Sequence, residues 1–239
     1  METKSLGVIG GMGPLATSVF FERIIENTVA NTDQDHINMV ILNHTTLPDR
    51  THVILNKKEE TFLQAIEKDI KLLEQVGAAH IAIPCNTSHY FYDQMQAMTN
   101  TPIINMVEET CKEIQHRFGE KSKVTILATT GTVKSGVYEK GCRQYNLQLH
   151  TPNEVFQDDV MNTIYNIKSD LPVDASVIEN IVNELVTKED CSCVILACTE
   201  LSCLNLSKDV AKYCIDAMDI LVEKSIEYSG GTLKKSVCK

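Results

Sequence analysis

Six short runs, at residues 6–10, 39–43, 80–84, 103–104, 124–128 and 193–197, read as strands, and several are apolar on both faces. A strand of that kind must be covered on both sides, as happens in parallel sheets sandwiched between helices. Between the runs lie stretches with helical periodicity. Phe62, Ile66, Ile70 and Leu73 form one apolar stripe, with Gly77 as its stop signal, and Val173, Val177, Ile181 and Leu185 form another. Strand and helix patterns that alternate in this way predict an α/β architecture with parallel sheets. At 239 residues, 43% of them hydrophobic, the chain has ample material for one large or two small cores.

The chain also repeats itself. Val8-Ile9-Gly10-Gly11-Met12-Gly13, followed by Thr17-Ser18-Val19-Phe20, lines up with Ile126-Leu127-Ala128-Thr129-Thr130-Gly131, followed by Ser135-Gly136-Val137-Tyr138. At nearly the same offset, Pro84-Cys85-Asn86-Thr87-Ser88-His89 lines up with Ala197-Cys198-Thr199-Glu200-Leu201. Each half therefore reads as strand, turn, helix, then a later strand, a cysteine and a further helix. The expected fold is two pseudo-symmetric lobes, each a short, mainly parallel sheet flanked by helices, with the active site in the cleft between them. Residues 1–106, joined by a tail from about 216 to 239, form the first lobe, and residues 107–215 the second. Ligands bind beyond the carboxyl ends of strands in such sheets, so the two thiols are expected to face each other.

A cysteine at the start of a helix sits in a field that lowers its pKa and favours the thiolate. One such cysteine reads as a nucleophile; a facing pair reads as two bases. One thiolate removes a proton from a substrate carbon while the other thiol delivers one to the opposite face, which inverts the centre without a cofactor. Asn86, Thr87 and Thr199 follow the cysteines directly and offer donors for a carboxylate. His89, four residues after Cys85, leaves a Cys-His hydrolase as a rival, although a capping or core role fits it better. His44 and His52 flank Arg50, facing either the pocket or water.

Composition removes several other classes. A net charge of −10 with no Lys/Arg-rich run excludes a nucleic-acid surface. No stretch approaches the roughly 18 apolar residues of a membrane span, and the start has no signal-peptide core. The expectation is a cytoplasmic protein. Its nine cysteines are then free thiols, mostly buried as small hydrophobes; Cys238, near the carboxyl end, is the exception, open to adventitious reaction. Cys191, Cys193, Cys198 and Cys203 crowd together but lack the paired C-x2-C knuckles of a zinc site, so no metal is expected. The Gly10-Gly11-Met12-Gly13 turn lacks the spacing of a nucleotide loop; its glycines instead let backbone approach a substrate.

The combination Gly10-Gly11-Met12-Gly13-Pro14, Pro84-Cys85-Asn86-Thr87 and Cys198-Thr199-Glu200 resembles the aspartate/glutamate racemase superfamily, most closely its aspartate racemase branch. The resemblance runs over nearly the whole chain. It implies a cofactor-independent enzyme, a homodimer of two-lobed subunits acting on a small acidic amino acid, with Cys85 and Cys198 as opposed acid and base. It places Asn86, Thr87 and Thr199 on the substrate's α-carboxylate and amino group, Thr129 and Thr130 in the second-lobe turn that lines the cleft, and Met12 and Gly13 in the matching first-lobe turn. Leu47-Pro48-Asp49-Arg50-Thr51 resembles the segment that supplies an arginine for the side-chain carboxylate, a task that suits the planar fork of Arg50. Lys168, after Asp159-Val160-Met161 and Ile164-Tyr165, is the candidate second cation, one residue short of the family spacing. Glu200 stands where the glutamate branch has histidine and is counted among the cleft residues; it either tunes Cys198, which a carboxylate would do by raising the thiol's pKa, or is neutral or points outward. Alternatives are a glutamate or broad-specificity racemase, a single-cysteine decarboxylase or hydrolase, and a non-catalytic binder of amino acids or dicarboxylates.

Overall fold

The computed structural model describes residues 4–234; Cys238 lies outside them. The first sheet holds β1 (Leu6–Gly10), β2 (Met39–Asn43) and β3 (His80–Ala82) in the order β2-β1-β3, all parallel. The second holds β4 (Lys123–Leu127), β5 (Gln148–His150), β6 (Cys193–Leu196) and β7 (Cys214–Asp216) in the order β5-β4-β6-β7, again all parallel. The internal repeat is visible here as topology. In both sheets the strand before the glycine- or threonine-bearing turn is flanked by its successor on one side and by the cysteine-bearing strand on the other. Both cysteines therefore sit beside the central turn of their lobe.

Helices α1 (Pro14–Asn27), α2 (Arg50–Leu55), α3 (Glu59–Gln75) and α4 (Tyr92–Ala97) accompany the first sheet. After α5 (Met106–Phe118), the second sheet carries α6 (Thr130–Ser135), α7 (Val137–Gln144), α8 (Glu154–Lys168), α9 (Ala175–Thr187) and α10 (Lys208–Ala211), and α11 (Ala217–Tyr228) ends the fold. The α3 stripe Phe62, Ile66, Ile70 and Leu73 is completely buried, each such side chain contributing about 1.5–3 kcal/mol of transfer free energy. Gly77 follows α3 with φ +75°, in the left-handed region that suits a helix stop. In α9 the buried face is Ile178, Ile181, Val182 and Leu185; Val173 precedes the helix and Val177 is only partly buried.

One apolar cluster runs through both sheets, linking Leu6 and Val8 to Val124, Ile126 and Ile195 by way of Met218, Leu221 and Val222 on α11. That helix packs on α1, α5 and β3, and the chain then returns to the first lobe, where Val29 N–H donates to Thr232 O at 2.8 Å and Lys234 N–H to Asn27 O at 2.8 Å.

Three expectations need correction. Residues 103–104 form no strand: Ile103 makes a single bridge to Ile81. After Cys85 the expected helix begins as a 3₁₀ turn, Thr87–Phe91, that runs straight into α4, whereas after Cys198 there is only the 3₁₀ turn Leu201–Cys203. That single turn aligns few peptide dipoles, which removes most of the macrodipole effect expected at Cys198. The strands β5 and β7 were not anticipated, so Asp216 ends a strand of the second sheet, and the chain turns to α1 only beyond it.

Candidate active site

The carboxyl ends of the two sheets converge on a narrow cavity of about 20 Å³ onto which both Cys85 and Cys198 open. Each thiol is nearly buried, at 5% and 6% exposure.

Donors close the walls. Thr87 Oγ1 lies 3.0 Å from Thr129 Oγ1 and 2.8 Å from Thr132 Oγ1, so three hydroxyls meet across the two lobes. Thr129 also caps α6 by accepting Thr132 N–H at 3.2 Å, which fixes that corner of the triangle. Tyr138 O–H donates to Asn86 Oδ1 at 2.6 Å, leaving the buried Asn86 Nδ2 without an acceptor among the described residues. Thr199 Oγ1 donates to Pro84 O at 3.3 Å, tying the second cysteine loop to the first.

Arg50 opens α2, where the Asp49 side chain caps the helix by accepting His52 N–H at 2.7 Å. Its guanidinium reaches the cavity and contacts main chain, with Nη1 donating to Pro48 O at 3.1 Å and to Leu47 O at 3.4 Å, and Nη2 to Met12 O at 3.4 Å. Its Nε is buried and has no partner among the described residues. This cation therefore holds unspent hydrogen-bonding capacity beside the thiols.

Lys168 ends α8, which Asn153 starts by accepting Phe156 N–H at 2.9 Å. The ammonium is not free: it pairs with Glu200 Oε1. The other oxygen, Oε2, accepts the Cys198 S–H at 3.0 Å. Glu200 thus points inward, with its side chain only 4% exposed. Burial first, and the Glu200 carboxylate next, push the Cys198 thiol well above its ordinary range, against the opposing pull of Lys168. A lowered pKa for this cysteine is therefore overturned: desolvation and a carboxylate outweigh the peptide dipoles of one short turn. For Lys168, burial alone would lower the pKa, but Glu200, Cys198 and Cys85 together raise it.

Met12 lines the cavity; Gly13 does not, but its backbone abuts the ion pair. A Cβ at Gly13 would stand 3.0 Å from Glu200 Oε1 and 3.7 Å from Lys168 Nζ. Thr130 stands outside the cavity lining, and its backbone N–H contacts Met161 Sδ at 3.1 Å. His89 is a brace. It is completely enclosed, with Nδ1 2.9 Å from Cys85 O, while Nε2 accepts Met106 N–H at 3.1 Å. Accepting at Nε2 makes Nδ1 the donor, so neither nitrogen is free for the thiol. His44 Nδ1 pairs with Asp69 at 2.7 Å, and the exposed His52 contacts Asn56.

Sequence reasoning missed Asp49 and Thr51 in the cavity wall and Thr132 and Tyr138 behind it. Asp49 was findable as a helix cap next to Arg50, whereas Tyr138 reaches Asn86 only through the packing of the two lobes. Among the described residues, no three His, Cys, Asp or Glu side chains form a metal-holding group, and no helix is long and apolar enough to cross a membrane.

Two strand-end cysteines from duplicated parallel sheets, facing one cavity between lobes, match a known family. Residues 9–225 fit the Asp/Glu/hydantoin racemase family, and the chain belongs to it. Picrophilus torridus aspartate racemase superposes with a TM-score of 0.85 at 32% identity, covering 97% of this chain and 96% of that one. An aspartate racemase homologue from Pyrococcus horikoshii OT3 shares the fold, with a TM-score of 0.77 at 24% identity, covering 95% of this chain and 99% of that one. The broad specificity amino-acid racemase RacX of Bacillus subtilis is 32% identical over 139 residues, a stretch spanning 56% of this chain and 59% of that relative.

Proposed function

We propose that this chain is a cofactor-independent racemase that interconverts L- and D-aspartate by a two-base mechanism. The observation that carries the reading is the pair of thiols, Cys85 and Cys198, opening on one cavity that also holds the cations Arg50 and Lys168. A substrate Cα seated between the sulfurs loses its proton to one and gains a proton from the other, and the two exchange roles with reaction direction. Asn86, Thr87, Thr129 and Thr199 supply donors for the α-carboxylate, whose charge grows as the α-carbon is deprotonated. Met12 and Gly13 bring backbone against the substrate. Arg50, with its unpartnered Nε, reads the side-chain carboxylate, and Lys168 joins it once released from Glu200. The subunit divides into lobes of residues 4–106 plus the segment that follows Asp216, and residues 107–216. It acts as a cytoplasmic homodimer.

A second reading, a racemase of broad specificity, is favoured by one specific fact: Lys168 is already paired with Glu200, which leaves Arg50 as the uncommitted cation of the cavity among the described residues. The 32% identity to RacX points the same way. A proton NMR time course with L-aspartate in D2O, followed by chiral analysis, decides. Loss of the α-proton signal together with appearance of D-aspartate establishes the reaction. Exchange with neutral amino acids at equal rates replaces aspartate by broad specificity. Exchange of nothing leaves a non-catalytic binder of amino acids or dicarboxylates.

A further inference from the structure

Resting on the two-thiol reading, we propose that Glu200 is the proton acceptor for Cys198, held in reserve by Lys168 until a substrate carboxylate takes the lysine away. Cys198 is a protonated thiol, with its S–H directed at Glu200 Oε2 across 3.0 Å. A protonated sulfur can take an α-proton only if its own proton leaves. The oxygen already against the sulfur is that of Glu200.

The step balances. The Cα–H bond breaks and a new S–H bond forms, while the old S–H bond breaks and an O–H bond forms on Oε2. The electron pair stays on Cα, and Cys85 then protonates the opposite face, leaving its own sulfur as thiolate. The proton on Glu200 returns to Cys85 before the next turnover in the same direction. Among the described residues no carboxylate accepts from Cys85, where Asn86 and Thr87 follow and the imidazole of His89 is committed to main chain at both nitrogens.

Lys168 holds this acceptor in place. Its ammonium occupies Oε1, so one of the two carboxylate oxygens is committed to a cation. A substrate with a side-chain carboxylate competes for the same ammonium and draws it away from Glu200. A neutral side chain leaves the pair intact. Preference for acidic substrates then appears in kcat as well as in binding. The other ionisable groups around this cluster are Arg50 and Asp49 from the start of α2, Cys85 from the first lobe, Tyr165 on α8, and Cys203, which follows in the same loop. The backbone of Gly13 closes the remaining side.

The test combines steady-state kinetics with the pH dependence of Cys198 carboxymethylation, resolved by peptide mass spectrometry, on the full chain. Glu200→Gln is expected to lower kcat for aspartate about 100-fold, with KM unchanged or lower because Lys168 is free for the substrate. The Cys198 alkylation inflection should move acid by about one pH unit or more, since the carboxylate beside the sulfur is gone. Lys168→Met should move the same inflection alkaline. If Glu200→Gln does not fold, Glu200→Asp must keep the alkaline inflection while losing kcat, because the shorter arm retains the charge but draws back from the sulfur. Retention of more than about a third of kcat, or an inflection that stays put in both Glu200→Gln and Lys168→Met, overturns the proposal. Should the wild-type chain racemise no acidic amino acid, the proposed function falls separately, and the opposite movements of the alkylation curve alone decide the role of Glu200.

Discussion

Cys85 and Cys198 occupy the same place in two copies of one topology, each at the end of the strand beside its lobe's central turn. Their surroundings differ. The first thiol is followed by neutral hydrogen-bonding groups: Asn86 held by Tyr138, Thr87 in a hydroxyl triangle, and an enclosed imidazole that braces the cysteine carbonyl. The second is in contact with a buried carboxylate that is itself paired with a lysine. The difference teaches that repetition of a fold fixes where a functional group stands, while a few neighbouring charges fix its protonation state. Two-base inversion needs one sulfur side that takes a proton and one that gives it, and an asymmetric pair of environments supplies that difference directly.

The most severe way to break this comparison is to remove either sulfur. Cys85→Ser and Cys198→Ser should each abolish racemisation, a loss of about 10²–10⁴-fold or more, with circular dichroism and thermal midpoint close to wild type because the volumes nearly match. Full activity in either variant would sink the two-base mechanism. Next in size is Arg50→Ala. Loss of a charge-assisted contact of about 1.5–3 kcal/mol should cut kcat/KM for aspartate roughly 10- to 100-fold and leave neutral amino acids nearly unchanged. Equal losses for aspartate and alanine would assign Arg50 to scaffold and leave Lys168 as the reader of the side chain.

The sequence carried these residues unequally. The central strands, the α3 stripe and the two cysteine segments announce themselves, because buried parallel strands and amphipathic helices repeat one physical requirement over many positions. By contrast, β5 and β7 are three residues each, too short for a period to register, and Ile103–Ile104 looks like a strand only because it is buried. Arg50 was legible as a residue type in a motif. That its Nε lacks a partner was not, since this depends on which carbonyls the α2 entry loop presents. The sign of the Cys198 shift was misjudged for a physical reason: burial and the rotamer of Glu200 are tertiary facts, whereas the helix-dipole rule uses local order alone. Tyr138, Thr132 and Thr51 reach the site from other elements, and nothing in their own neighbourhoods marks them.

The smallest expected effect concerns the brace on the Cys85 side. Burial lowers the pKa of His89, with its contacts to the Cys85 and Ile104 carbonyls opposing only in part. The folded protein therefore holds a neutral imidazole, while the unfolded chain binds a proton near pH 6.5. Below that pH the unfolded state carries more protons than the native one, so the contribution of His89 to stability is whole above about 6.5 and is lost as pH falls, by up to about 1.4 kcal/mol per pH unit. Asp219 acts in the opposite sense. Burial, followed by Asp216, raises its pKa to about 6, so that the native state gains protons ahead of the unfolded one as the solution is acidified. His80, also lowered mainly by burial, adds to the His89 trend. Comparing wild type with His89→Gln isolates the one group, because the other titrations are common to both. Urea midpoints at pH 7.5, 6.5 and 5.5 should fall more steeply for the wild type than for the variant, whatever the variant's level at neutral pH. Parallel slopes would mean that His89 is protonated in the fold, with Nε2 no longer accepting from Met106, and the Cys85 lobe would then carry a buried charge to set against the Lys168–Glu200 pair of its counterpart.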